Sequence, residues 1–500
     1  VVSKAKKALM LSQSKHELSL FGRARAELLE FTTISDSLKH LILDSFPLFI
    51  YNFLLNIIFT INLHYIGLNG DSFMLAGSGL ANTWIVATSS AIILGMNVGT
   101  LAMSSQALGA KEYRLAGLAM HRAIVLRLLV FVPGYFLLLI SESVFLKLGT
   151  DPIIAQHAGV YCRYQFVPMI CLIFFDAIRT LLLANGIFVP FLILQIALTL
   201  AHWILCAILT PIYLMDGVGW AMIISNIFSI VLLVGYVMWK KPCKESFFWP
   251  EPDSFKNLMP QFKQELPVGS TFYLEFLAFE STIAMGGQFP PLQLSVQVIT
   301  LNFIGIMFTP ILGLMMALIS LMGNALGEKD HVKAGKIRKA GLVYAFFVLL
   351  LEIPVLYFFQ NQIIGNYTKD PEVAASVKPI LGIFMIFMIG DFFQVTNCSM
   401  LRAVGKEHLG FKIGVFAFYA IGLPIGYTLG VLLEWYSKGI WTGMTIGTLI
   451  GLSLSIRAWM EIDLAQQVIE IEERILRKKG LEAHLLGATE EQSIELKAYQ

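Results

Sequence analysis

The chain has 500 residues, of which 56% are apolar and only 14% charged, and its mean hydropathy is strongly positive. A soluble domain is about a quarter charged, so the composition excludes that class and points to the bilayer. The formal net charge of +2 decides little, and no basic stripe suggests nucleic acid as a partner. The five cysteines (Cys162, Cys171, Cys206, Cys243, Cys398) are scattered, mostly inside apolar runs. They form neither a disulfide framework nor a zinc spacing.

Residues 1–38 are charged and polar, with no cleavable signal-peptide pattern, so the first apolar run is expected to direct its own insertion. A bilayer span needs about 20 mostly apolar residues. Such runs occur near 41–63, 74–103, 119–141, 156–182, 187–212 and 217–239, and then near 265–285, 291–322, 341–359, 375–400, 411–433 and 439–460. Between the two sets, Lys240 to Lys263 holds Pro242, Pro250, Pro252 and Pro260 among many charges, which reads as a linker. After Met460 comes a charged amphipathic stretch, expected either to lie on the membrane surface with Lys478 and Lys479 near headgroups or to be a solvated or disordered tail. The expected organisation is an N-terminal segment over 1–38, lobes over 39–240 and 263–460, a linker over 241–262 and a tail over 461–500.

The charges in the short loops are asymmetric. Gaps after even-numbered spans carry Lys111, Arg114 and Arg122; Lys240, Lys241, Lys244, Lys256 and Lys263; Lys329, Lys333, Lys336, Arg338 and Lys339; and Lys406 and Lys412. The fourth gap, around Asn185, is short and uncharged, and the odd gaps carry only Lys147, Lys369 and Lys438. The positive-inside rule then puts both termini and the linker in the cytoplasm.

The chain also repeats itself. One constant offset pairs Leu94 with Leu312, Gly95 with Gly313, Ala107 with Ala325, Leu108 with Leu326, Gly109 with Gly327, Lys111 with Lys329 and Gly117 with Gly335, and matches Glu112 to Asp330. Nearly the same offset pairs Pro47 with Pro267, Gly67 with Gly287, Ala184 with Ala403 and Gly186 with Gly405. A repeat of six spans re-enters the membrane in the same direction as the first. The expected fold is therefore all-α and polytopic, about twelve transmembrane helices in two six-helix lobes related by a pseudo-twofold axis along the membrane normal. No phosphate-binding GxxxxGK[ST] loop appears, which leaves an ion gradient as the power source.

Ionisable groups at membrane depth cost ~2.5–3.5 kcal/mol each, so they mark a cavity or a partner. Glu275 and Glu280 both lie in the seventh span, ~140° apart and ~7.5 Å along the axis on a helix, with no Lys or Arg in that span. Two such carboxyls suit proton carriage. Asp391 in the tenth span, near Gln394, Asn397 and Ser399, is the third candidate. Asp176 has Arg179 one turn later, a spacing that permits a neutralising pair, so it reads equally as structure or as cavity lining. Asn52, Asn82 and Asn302 read as interhelical glue or pocket lining, and Asn397 as pocket lining beside Asp391. Glu352 stands alone in the ninth span beside Pro354, and Pro47, Pro267 and Pro310 are candidate kinks. The nine histidines show no HExxH spacing and no GxSxG elbow occurs, so no enzyme activity, cofactor or metal is expected.

SQALGA at Ser105–Ala110 and GNALGE at Gly323–Glu328 resemble the paired motifs of the multidrug and toxic compound extrusion (MATE) family. The P-x7-E-x4-E pattern of Pro267, Glu275 and Glu280 resembles its eukaryotic branch, as do Asp391 and the MLRAVGK turn with Arg402. The resemblance implies a proton-coupled pocket in the C-terminal lobe, and export of organic cations, drugs or metabolites in exchange for protons rather than sodium. It covers about residues 35–460, and departs from the family at Glu328, at LRAVG and at Phe276-Leu277. A lipid-linked oligosaccharide flippase of the same superfamily is the near alternative. Such proteins carry a more cationic cavity, whereas the C-terminal acids here show no basic partner in the sequence. A channel or non-transporting scaffold is the alternative of another class. The expected protein is a monomer in the plasma membrane or an organelle membrane.

Overall fold

The computed structural model describes residues 33–367 and 370–485, with side chains left undescribed at a few of them, Asn302 included. Thr33 opens the first helix with a reciprocal capping box to Asp36, an arrangement that satisfies two orphan backbone donors at once. Ten helices among the described residues are long and apolar enough to cross a membrane. One of them, Val189–Lys240, is two spans, because Leu214 leaves helical geometry (φ 52°, ψ −125°) and reverses the chain. The seventh span, Leu258–Gly286, joins the set by length. Its own polar residues, Glu275 and Glu280 among them, hold its hydropathy down.

The twelve spans are then Ile34–Asn69, Ser72–Gly109, Tyr113–Leu139, Phe166–Ala184, the two arms of Val189–Lys240, Leu258–Gly286, the pair Pro291–Met307 and Thr309–Gly327, His331–Tyr367, Pro371–Ala403, Glu407–Leu432 and Tyr436–Met460. Pro152–Arg163 leads into the fourth span. Pro310 opens the second half of the eighth span just after its break at Phe308.

The internal repeat is written into the backbone. After the second span Lys111 donates to Leu108 and Glu112 to Ala107; after the eighth, Lys329 donates to Leu326 and Asp330 to Ala325. These are paired Schellman closures, with Lys111 at φ 63° and Lys329 at φ 62°. The fourth and tenth spans end the same way, on Gly186 at φ 73° and Gly405 at φ 79°. Glycine carries no steric penalty there. Asp151 before Pro152 and Asp370 before Pro371 cap equivalent helices with their side chains.

The second and eighth spans cross at the end of the bundle that holds the linker, called here the linker end. The crossing is self-complementary. A Cβ on Gly109 would lie 2.1 Å from the Asn324 carbonyl oxygen, and one on Gly327 2.2 Å from that of Gln106. The Gln106 side chain donates to Ala403 O of the tenth span (2.8 Å), and Asn324 donates to Ala184 O of the fourth (2.9 Å). Each contact has its partner in the other lobe, as an isologous interface requires. Gly95 meets Gly269, and Gly313 meets Ser45 and Phe49, further along the same half of the bundle.

The linker is strapped to the third span. Arg114 binds Glu251 (2.8 Å) and Asp253 (2.9 Å), and His121 pairs with Ser254 (2.9 Å). The tail helix, Leu464–Leu485, departs from the sequence expectation. Val468, Ile471 and Ile475 are buried in the protein core rather than offered to lipid. Lys478 points inward, donating to Gln264 of the seventh span (3.0 Å), and the Lys479 side chain lies outside the described residues. The tail's apolar stripe fits the sealed linker end, where it is removed from water without needing a membrane surface.

Candidate functional site

In the C-terminal lobe the structure joins Glu275 of the seventh span to two groups of the tenth. Arg402 Nη2 lies 4.0 Å from Glu275 Oε1. Asp391 is 2% exposed and close enough to feel the charge of Glu275. Arg402 lies over the Phe272 ring (5.1 Å) and directs Nη1 at Met315 Sδ (3.5 Å). A cation there is held by soft and aromatic neighbours with one carboxylate at arm's length, which leaves that carboxylate able to take another partner. Asp391 Oδ2 and Gln394 Oε1 are buried with no hydrogen-bond partner among the described residues. Unmet polar atoms at this depth are costly in a filled core. A C-terminal basic partner was not legible in the seventh span because it comes from another helix.

Glu280 stays apart. It is partly buried, and no charged group among the described residues acts on it. Beside it Phe279 packs on Phe387 (6.2 Å) and Phe418 (5.9 Å), forming an aromatic wall.

The N-terminal lobe holds a closed counterpart. Asp176 accepts from Arg179 (2.8 Å), Asn97 (2.9 Å) and Tyr51 (3.3 Å), and Arg179 lies over the Tyr51 ring (4.7 Å). Arg179 also reaches Met316 Sδ of the opposite lobe (3.6 Å). Both carboxylate oxygens are engaged within the cluster. Removing one member of a buried pair costs about 3–5 kcal/mol. Arg179→Leu is therefore expected to lower the melting temperature in detergent sharply, and Asp176→Leu added to it to restore much of the loss. A single variant within about 0.5 kcal/mol of the parent would refute the assignment.

Two buried charges escaped the sequence reading. Arg127 of the third span donates to Thr100 (2.5 Å), which donates to Glu265 of the seventh (2.6 Å), so the chain of bonds crosses between lobes. Arg127 sat inside an apolar run, where a lone charge is itself the signal. Of the remaining candidates, Asn397 donates to Ser455 (3.2 Å) and its carbonyl accepts from Trp459 (3.0 Å), tying the tenth span to the twelfth. Asn82 is half-buried on the second span, one turn before a π-helical stretch, Val86–Ser90. Asn52 bonds its own helix at Leu48 O (2.8 Å). Asn302 has no described side chain. Glu352 is partly buried in the ninth span, its Oε2 without a partner among the described residues; we have no physical account of it.

Comparison with known proteins places this architecture. The MatE family model matches residues 47–208 and 267–428, one stretch in each lobe, each beginning on the repeated proline. Protein DETOXIFICATION 1 of Arabidopsis thaliana is 26% identical over 421 residues, covering 82% of this chain and 87% of that protein. Protein DETOXIFICATION 12 of the same plant is 26% identical over 426 residues, covering 83% and 86%. Among solved structures, the eukaryotic MATE transporter AtDTX14 superposes with a TM-score of 0.84 at 20% identity, covering 88% of this chain and 99% of that one. A MOP superfamily transporter from Pyrococcus furiosus superposes with a TM-score of 0.74 at 17% identity, covering 88% and 97%. With both lobes matched by one family model, and with the twelve-helix, two-lobe fold shared, the chain belongs to the MatE family of membrane transporters.

Proposed function

We propose that the protein is a proton-coupled antiporter that exports organic cations by alternating access. The observation that carries this reading is the Glu275, Asp391 and Arg402 cluster inside the C-terminal lobe of a protein whose lobes meet at the linker end. Exchange needs a group that binds either a proton or a cation. By linkage, each ligand then weakens the other by the same factor. Glu275 is the group with a carboxylate neighbour to share a proton and a guanidinium whose charge competes with an incoming cation. Glu280, on the adjoining face, would line the path with Phe279. Asp176 and the asparagines would frame the N-terminal side. Arg402 beside Glu275 gives one specific ground for a second reading, a less cationic substrate, since the interior holds a fixed positive charge.

Flux of a fluorescent organic cation into proteoliposomes under an imposed pH gradient tests the reading. Uptake that follows the proton gradient supports it; uptake that follows sodium and ignores pH defeats it. We further propose that the linker end is cytoplasmic, from the loop-charge asymmetry. Cys243 is only 4% exposed and unsuited to report this, and the other four cysteines are buried as well. Lys244 is exposed. Lys244→Cys is expected to resist an impermeant maleimide on intact cells and to react after permeabilisation; ready labelling from outside would invert the orientation.

A further inference from the structure

Glu265 lies about two turns into the seventh span from the linker and is fully buried. Its Oε1 accepts from Thr100 of the second span (2.6 Å) and from Gln261 of its own helix (2.8 Å). The Gln261 amide also donates to Ala119 O of the third span (2.8 Å). Arg127 of that span is fully buried too, and donates Nη2 to the Thr100 hydroxyl (2.5 Å). The ladder therefore runs from the third span through the second to the seventh, and the lobe boundary falls between Thr100 and Glu265. The backbones meet at the same level, where a Cβ on Gly99 would lie 3.1 Å from Glu265 Cα.

The two opposite charges are bridged rather than touching, with the Thr100 hydroxyl between them. Arg127 Nε and Nη1 and Glu265 Oε2 have no hydrogen-bond partner among the described residues. The other charges in range are Lys478 of the tail, acting on Glu265, and Asp176 and Arg179, which act on Arg127 while bonded to each other. Asp176 and Arg179 stand within one helix and close to 2.8 Å. The ladder at Thr100 instead spans a boundary, and its middle member has a second acceptor: Thr100 Oγ1 lies 3.3 Å from Met96 O of its own helix. A link of that kind can be broken and remade without stranding the hydroxyl.

We propose that Arg127, Thr100 and Glu265 form a polar lock across the lobe boundary, made when the linker end is sealed and broken when it parts. The inference rests on the alternating-access reading above. In the sealed form the Glu265 carboxylate offsets the Arg127 charge across a seam from which water is excluded. On parting, Thr100 turns to Met96 O, Glu265 keeps Gln261, and water reaches the polar atoms that the protein leaves unmet. These are positioning residues. They touch no substrate, and they set how readily the lobes separate.

Opening is read on the purified full chain carrying Ser105→Cys, with no gradient and no substrate, so a failure of proton-driven flux would leave the result standing. Ser105 is fully buried at the crossing of the second and eighth spans, 2.8 Å from where a Cβ on Gly323 would sit. Its modification by a soluble thiol reagent is measured over the background of the five buried native cysteines. Arg127→Met and Glu265→Gln each strand one buried charge, and each should speed modification about tenfold. Combined they strand none, and the rate should fall back towards that of the parent. Thr100→Val cuts the link at nearly constant volume and removes no charge, which keeps the test in a folded protein. It should speed modification about fivefold, the worth of one ordinary hydrogen bond. Parental rates in all three single variants, or a combined variant that opens by the product of its two singles, overturn the proposal. A fall in melting temperature with no change in rate overturns it as well, since the ladder would then be fixed packing.

Discussion

Glu275→Gln is expected to cut pH-driven cation exchange at least ~10-fold, with the protein still folded and in the membrane. Glutamine keeps the size of the side chain and cannot lose a proton, so the site is fixed in a form that resembles the protonated one. A carrier of that kind binds cations weakly at every pH and has no proton to return. The substitution also removes the negative charge 4.0 Å from Arg402. Among the described residues the guanidinium then keeps the Phe272 ring and the Met315 sulfur, and an incoming cation meets its charge without the Glu275 carboxylate to offset it.

A structural role for Glu275 would give a different result. It would lower stability and expression but leave the pH profile of the remaining flux unchanged. The informative measurement is therefore the initial rate across a series of imposed gradients, normalised to protein inserted. Asp391→Asn should shift that profile, because Asp391 lies within electrostatic range of Glu275 and the two carboxyls cannot both ionise freely. Glu280→Gln should lower the rate less, since no charged group among the described residues acts on Glu280. If Glu275→Gln retains a parental profile while Glu280→Gln abolishes flux, the coupling proton resides on Glu280 and the assignment fails.

The fold was legible because its two determinants are one-dimensional. Apolar run length gives the spans, and a constant offset gives the lobes. Even the reversal at Leu214 falls in the gap between 212 and 217. The candidate site was legible only to the extent that a charge inside an apolar run stands out. That rule picked out Glu275, Glu280 and Asp391 as candidates and said nothing of which of them meet. What separates Glu275 from Glu280 is a guanidinium and a carboxylate on another helix, a relation that no spacing within the seventh span contains. The same limit hid the Thr100 bridge from Arg127 to Glu265, and it hid the tail's destination. The stripe of Val468, Ile471 and Ile475 is equally suited to lipid or to a protein groove. The presence of a complementary sealed surface decided between them.

Gly109→Ala and Gly327→Ala are expected to part the lobes at the linker end. Each new Cβ would meet a backbone carbonyl oxygen of the opposite lobe, at 2.1 and 2.2 Å. A backbone atom cannot swing away as the end of a flexible side chain can, so the helices must separate or bend. Overpacking of this kind costs about 1–3 kcal/mol. The cost falls only on the state in which the second and eighth spans touch, so it shifts the equilibrium between sealed and parted forms rather than weakening both. A penalty of 1.4 kcal/mol is a tenfold change in population. Ser105, fully buried at the seal with its hydroxyl donating to Leu101 O of its own helix (2.7 Å), offers a reporter as Ser105→Cys. Its rate of modification by a soluble thiol reagent, in purified protein, should rise about tenfold when either glycine is replaced. The two substitutions should act alike, since the crossing is self-complementary, and should reinforce each other when combined. Gly235→Ala is the control, because a Cβ there meets nothing within 4 Å. If melting temperature falls while Ser105→Cys reacts no faster, the clash is absorbed by distortion of a closed seal, and the crossing is packing rather than a gate.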